Sequence, residues 1–190
     1  MGNADADLMF VGEAPGAEED RQGLPFVGRA GKLLDELLAE IGMTREEHAF
    51  IANVLKSRPP GNRDPQPDEI DACTPYLERQ IQLLEPRVIC TLGNFATKLL
   101  TGSQTGITRV RGRPQEREVA GVPVLLYPLF HPAAALRTPA VLQQLREDFA
   151  RIPGLLEEER APAGPPALAP SAPVAEPAEP AEPPQLELLG

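Results

Sequence analysis

Short apolar runs alternate with segments whose apolar residues recur at helical spacing from Asp7 to Ile152. Asp7–Gly12 (DLMFVG), Ala49–Val54 (AFIANV), Arg87–Leu92 (RVICTL) and Val122–Tyr127 (VPVLLY) read as four strands. Arg29–Ile41 places Leu33, Leu34, Leu37, Leu38 and Ile41 on one helical face, and Gly42 ends it. Asp68–Leu84 reads as a second helix with Asp68 and Glu69 in its first turn, and Pro75 predicts a kink or break within it. Asn94–Leu100 and Ala140–Ile152 read as further helices. Strands this apolar, alternating with helices, predict an α/β fold with a mainly parallel sheet covered on both faces.

The pattern stops near Glu157. From Ala161 to Pro184 the chain is almost entirely Ala, Pro and Glu, with nine prolines and little to bury. Such a stretch predicts a disordered, partly extended tether. The expected organisation is a folded domain over 1–156, a tether over 157–184 and a terminal peptide over 185–190. This division changes how the net charge of −10 is read. Residues 157–190 hold seven Glu and one Arg, so most of the excess negative charge sits on the tail. The folded part retains room for a local basic face, and nucleic acid stays open as a partner. No apolar run approaches the roughly 18–20 residues of a membrane span, and no basic-then-apolar leader opens the chain. With only two cysteines, the expectation is a cytoplasmic protein with no membrane partner, acting as a monomer.

In open parallel sheets, ligands bind beyond the C-terminal ends of the strands. The first strand is followed by Gly12-Glu13-Ala14-Pro15-Gly16, the second ends at Asn53, the third leads into Gly93-Asn94, and the fourth into His131-Pro132. Glu13, Asn53 and His131 would therefore share one crevice. A carboxylate, an amide and an imidazole together suit a site that reads a flat polar heterocycle and activates water. Singly, each has an ordinary explanation: a strand-to-helix turn for the Gly-Pro segment, a cap for Asn53, a loop residue for His131. Their ordered co-occurrence is what singles them out.

The segments GEAPGAEED (Gly12–Asp20), GLPFVGRAGKLL (Gly23–Leu34), ANVLKSRPPGNRDPQPDEI (Ala52–Ile70), TLGNFA (Thr91–Ala96) and HPAAALR (His131–Arg137) resemble the family 4, iron–sulfur type uracil-DNA glycosylases. The resemblance covers roughly residues 5–150. It implies a three-layer α/β/α sandwich around a four-stranded, mainly parallel sheet, and hydrolysis of the N-glycosidic bond of deoxyuridine in DNA. Because uracil in a duplex is inaccessible, the nucleotide must be flipped out. By resemblance, Phe26 stacks on the flipped base and Asn53 discriminates it, donating to O4 and accepting from N3–H. The backbone of Gly12, Ala14 and Gly16 approaches the base edge. His131 stabilises the departing uracil anion at O2. Glu13 orients or deprotonates the attacking water. A related family places Asp where this chain has Ala14, which leaves Glu13 as the available carboxylate. DNA grip is expected from Lys56, Arg58 and Arg63, with Arg109, Arg111, Arg113 and Arg117 as a second basic stretch. The loop carrying Ala135, Leu136 and Arg137 is expected to enter the minor groove.

The family holds a 4Fe–4S cluster with four cysteines. Cys73 and Cys90 match the later pair in context, with sixteen residues between them, whereas the N-terminal Cys-x-x-Cys is absent. Two expectations follow: a natural start further upstream, which the presence of both later cysteines favours, or loss of the cluster with Cys73 and Cys90 kept as ordinary thiols. The alternatives to uracil excision are a glycosylase of broader deaminated-base preference, a non-catalytic DNA-binding module of the same fold, and a redox-sensing iron–sulfur protein. Retention of Glu13, Asn53 and His131 together speaks against the second, and the missing cysteine pair against the third. Finally, Gln185-Leu186-Glu187-Leu188-Leu189 resembles the Gln-Leu-x-Leu-Phe peptides that dock bacterial proteins onto the replication sliding clamp, with Leu189 in place of Phe.

Overall fold

The computed structural model describes residues 1–157. Five strands, β1 (Leu8–Gly12), β2 (Ala49–Asn53), β3 (Val88–Leu92), β4 (Gln115–Val119) and β5 (Val122–Leu129), form one sheet in the order β2-β1-β3-β5-β4. All neighbours pair parallel except β4 with β5. Nine α-helices accompany them among the described residues: α1 (Ala17–Gln22), α2 (Arg29–Glu40), α3 (Arg45–His48), α4 (Pro67–Leu84), α5 (Asn94–Thr101), α6 (Ile107–Val110), α7 (Pro132–Ala135), α8 (Pro139–Phe149) and α9 (Ile152–Glu157).

Strand alternation sorts side chains into two cores. Leu8 and Phe10 of β1 pack with Leu34, Leu37 and Leu38 of α2 and with Leu145 and Phe149 of α8. Met9 and Val11 point to the opposite face and pack with Leu77 and Ile81 of α4 and Ala96 of α5. A strand covered on both faces has no polar side, which is why β1 and β3 read as continuous apolar runs. The three-layer α/β/α sandwich is present.

Three expectations need correction. The sheet has five strands, not four. The extra strand β4 is an antiparallel edge whose three central residues, Glu116, Arg117 and Glu118, are exposed, so it lacks an apolar run. Charges on an edge strand block pairing with other chains, and the same charges hide the strand from pattern reading. Pro75 neither breaks nor ends α4, which runs uninterrupted through it with Pro75 on the exposed side. The last predicted helix is two helices, since α8 ends at Phe149 and α9 begins at Ile152. The expected tether (157–184) and terminal peptide (185–190) lie outside the described residues, apart from Glu157, which closes α9. No helix among the described residues is long and apolar enough to cross a membrane.

Candidate active site

The parallel register sets Gly12, the last residue of β1, directly beside Asn53, the last of β2. Backbone bonds continue the pairing past the strands: Val54 N–H donates to Gly12 O and Leu55 N–H to Glu13 O, both at 2.9 Å. Gly12 has to be glycine. A Cβ there would collide with Asn53 Oδ1 and approach the Phe26 ring within 2.8 Å. The amide oxygen and the aromatic ring therefore both press on the space that a side chain at the end of β1 would take. On the far side, Gly93 N–H donates to Leu129 O, which holds the ends of β3 and β5 together and brings His131 to the same crevice. The His131 and Phe26 rings stack with centroids 5.6 Å apart.

The polar groups are unusual in their bonding. Asn53 is 6% exposed, and its Oδ1 is buried without a hydrogen-bond partner among the described residues. A buried unsatisfied acceptor costs about 1–3 kcal/mol, which a ligand N–H can recover. Burial lowers the His131 pKa to about 4, against the opposing influence of Glu19, so the imidazole is neutral at physiological pH. The Ala133 N–H donates to His131 Nδ1 at 3.1 Å. A neutral imidazole accepting at Nδ1 carries its proton on Nε2, which is thereby a donor aimed elsewhere. Glu13 is half-buried, and desolvation, with a smaller contribution from Asp64, raises its carboxyl above the usual range. A carboxylate so disposed is a stronger base than one in water.

The loop after β2 is tied down on several sides. Lys56 Nζ donates to Asn53 O at 2.8 Å and to Gln80 Oε1 at 3.1 Å, and burial lowers its pKa. The Arg58 N–H donates to Asp20 Oδ1. Arg63 makes two 2.8 Å bonds to Glu69, and this pairing, with the Gln66 N–H, holds the Glu69 carboxyl down to about 2. Leu136, 38% exposed, and Arg137, also exposed, follow α7 on the His131 side. Of the second basic stretch, Arg111 is turned inward against Asp148 and the Phe130 ring, and Arg117 lies on β4.

The Uracil DNA glycosylase superfamily profile matches residues 1–151. The type-4 uracil-DNA glycosylase of Sulfurisphaera tokodaii is 47% identical over 151 residues, 77% of this chain and 69% of that protein. The chain belongs to the type-4 uracil-DNA glycosylase family. The family member of Archaeoglobus fulgidus is 47% identical over 156 residues, 80% of this chain and 78% of that one. That of Thermotoga maritima is 49% identical over 137 residues, 72% and 69% of the two chains.

Within this type-4 fold, the two cysteines do not meet. Cys90 on β3 is fully buried in the core beneath α2 and α8, and its thiol pKa is raised by desolvation. Cys73 on α4 packs against the core on the opposite face, where its Sγ accepts the Lys56 N–H at 3.4 Å. The two thiols therefore belong to different cores, on opposite faces of the sheet. No group of three potential metal-binding side chains converges among the described residues. Three residues at the site had escaped sequence reading: Glu19, Arg45 and Asp64. Glu19 lies inside the GEAPGAEED segment, but its partners Val27 and Gly28 belong to another loop. Arg45 sits in a charged run that looks solvent-facing, and nothing in the sequence marks it as buried.

Proposed function

We propose that this chain removes uracil from DNA, flipping the nucleotide out and hydrolysing its N-glycosidic bond to leave an abasic site. The observation that carries the proposal is the buried, unpartnered Asn53 Oδ1 beside the Phe26 ring and the end of β1. Uracil offers an N3–H donor and an O4 acceptor on adjacent positions, and a carboxamide complements both at once. Cytosine presents an acceptor at N3 and a donor at position four, so it would leave both Asn53 groups unpaired or opposed.

In the proposed reaction, the N1–C1′ bond breaks and its electron pair leaves on the uracil. Charge develops at O2, where the neutral His131 donates from Nε2. Neutrality matters, because a neutral donor stabilises the anion without being poised to lose its own proton first. The sugar gains oxocarbenium character, and the ionised Glu13 favours that positive charge. Water adds at C1′, Glu13 takes its proton, and the proton finally returns to uracil. Each step uses only this chain's own side chains and water, and none is routed through a cluster. DNA is gripped by Lys56, Arg58, Arg63 and the Leu136–Arg137 loop in this reading, and residues 185–190 dock on the sliding clamp through the 157–184 tether. The test is release of uracil from single- and double-stranded oligonucleotides, with thymine- and hypoxanthine-containing strands as controls. Excision of uracil alone is the expected result, and none from any strand would refute the proposal.

A further inference from the structure

We propose that Arg45 is a positioning residue, which acts through Phe26 by holding the backbone of the base-stacking loop in a conformation it would not keep alone. This inference deepens the proposed function and rests on it for the role of the Phe26 ring. Phe26 has φ of 53°, in the left-handed region that residues other than glycine seldom adopt. Something must hold it there. Arg45, the first residue of α3, is only 5% exposed and reaches under the loop. Its Nη2 donates to Phe26 O at 3.0 Å and to Gly31 O at 3.4 Å, and its Nη1 to Pro25 O at 3.4 Å. The guanidinium is itself fixed by Asp35 on α2, with Nε to Oδ1 at 2.7 Å. Three backbone carbonyls and one carboxylate thus converge on a single planar cation.

The opposite side of the same loop is gripped by Glu19. Its Oε1 accepts the Val27 N–H at 3.1 Å and the Gly28 N–H at 2.8 Å. Arg45 therefore holds the carbonyl of Phe26, and Glu19 the amides of the next two residues. Gly31 completes the fit, because a Cβ there would run into Phe26 O. Both clamps are charged groups on helices outside the loop itself, α3 and α1, so the ring's angle is set by where those helices hold Arg45 and Glu19. Arginine suits the position because its fixed fork serves several carbonyls at once, which a lysine point charge cannot do.

The experiment is a double-mutant cycle on the full chain: wild type, Arg45→Met, Phe26→Ala and the double variant. Single-turnover uracil excision is measured at saturating DNA, along with the Kd for the same DNA. Arg45→Met is expected to slow excision at least tenfold while Kd changes less than threefold. In the Phe26→Ala background the further loss is expected to fall below twofold. A full tenfold loss without the ring, or no loss with it, would overturn the role. A purely structural part for Arg45 would make the two losses multiply. Amide exchange at Val27 and Gly28 supplies a readout that needs no activity, and it is expected to accelerate at least tenfold in Arg45→Met. Unchanged exchange would sink the clamp even in a chain that excises nothing, whereas lack of excision by wild type would count against the proposed function alone. If Arg45→Met does not fold, Asp35→Asn, which frees the guanidinium without removing it, enters the same cycle with an expected threefold loss, and an unaltered rate and exchange would overturn the proposal equally.

Discussion

The rings of Phe26 and His131 stack with centroids 5.6 Å apart and planes inclined by 25°. Aromatic rings at this spacing favour an offset over a face-to-face sandwich. The imidazole thus stands against the ring that we propose stacks on the flipped base. A neutral imidazole in that place, accepting at Nδ1, has its Nε2–H free to donate to a carbonyl oxygen of such a base.

Replacing Glu13 or His131 by Ala should lower the single-turnover rate of uracil release at least tenfold, with DNA affinity largely kept. Tenfold corresponds to about 1.4 kcal/mol of transition-state stabilisation. Near-normal turnover in both variants would remove these residues from the proposed mechanism.

Asn53→Asp replaces the amide donor by an acceptor. Uracil release should fall by at least tenfold, since O4 then faces a carboxylate and about 1–3 kcal/mol of hydrogen bonding is lost. Release of cytosine, which offers a donor at that position, should become detectable. Unaltered discrimination between the two bases would show that Asn53 does not read them.

The acid limb of the rate profile should belong to Glu13. Its raised pKa means that the base is neutralised at a higher pH than an ordinary carboxyl, while His131 stays neutral down to about 4. Excision should therefore decline as pH falls through the raised carboxyl value, and the residual activity of Glu13→Gln should be flat across that window. Stability should move the other way. A carboxyl whose pKa is raised by folding favours the fold most when protonated, below its unfolded value, and that contribution is lost as pH rises through the folded value. Glu13→Gln, which cannot ionise, should melt at a higher temperature than wild type near neutral pH. A profile whose acid limb survives in Glu13→Gln would point to another base.

The thiols should behave independently. Cys90 should resist alkylation in the folded chain and react only on unfolding, because its sulfur is buried and its thiolate disfavoured. Cys90→Ala should leave iron content and visible absorption unchanged after anaerobic reconstitution with iron and sulfide. Loss of bound iron in that variant alone would contradict the placement of the two thiols on opposite faces of the sheet.

For the terminal peptide, calorimetry of the purified sliding clamp with a peptide of residues 185–190 should show binding that Leu188→Ala/Leu189→Ala abolishes. Equal or absent binding for the two peptides would leave the segment without a docking role.

The hydrophobic pattern by itself determined the parallel sheet, because strands buried on both faces need uninterrupted apolar runs such as Leu8–Val11 and Val88–Leu92. It also placed Glu13, Asn53 and His131 at or just beyond strand ends, where the topology of an α/β sheet makes a crevice. Other features were decided only by the tertiary structure. The edge strand Gln115–Val119 is held by its partner β5 and not by burial, so no periodicity announces it. The opposite facing of Cys73 and Cys90 depends on which side of the sheet α4 covers, which spacing along the chain does not encode. The grip of Arg45 on the Phe26 loop joins residues nearly twenty positions apart through backbone carbonyls, and carbonyls are the same in every sequence. Side-chain type and spacing report what a segment buries, whereas only the packed chain shows which distant backbone a buried charge comes to hold.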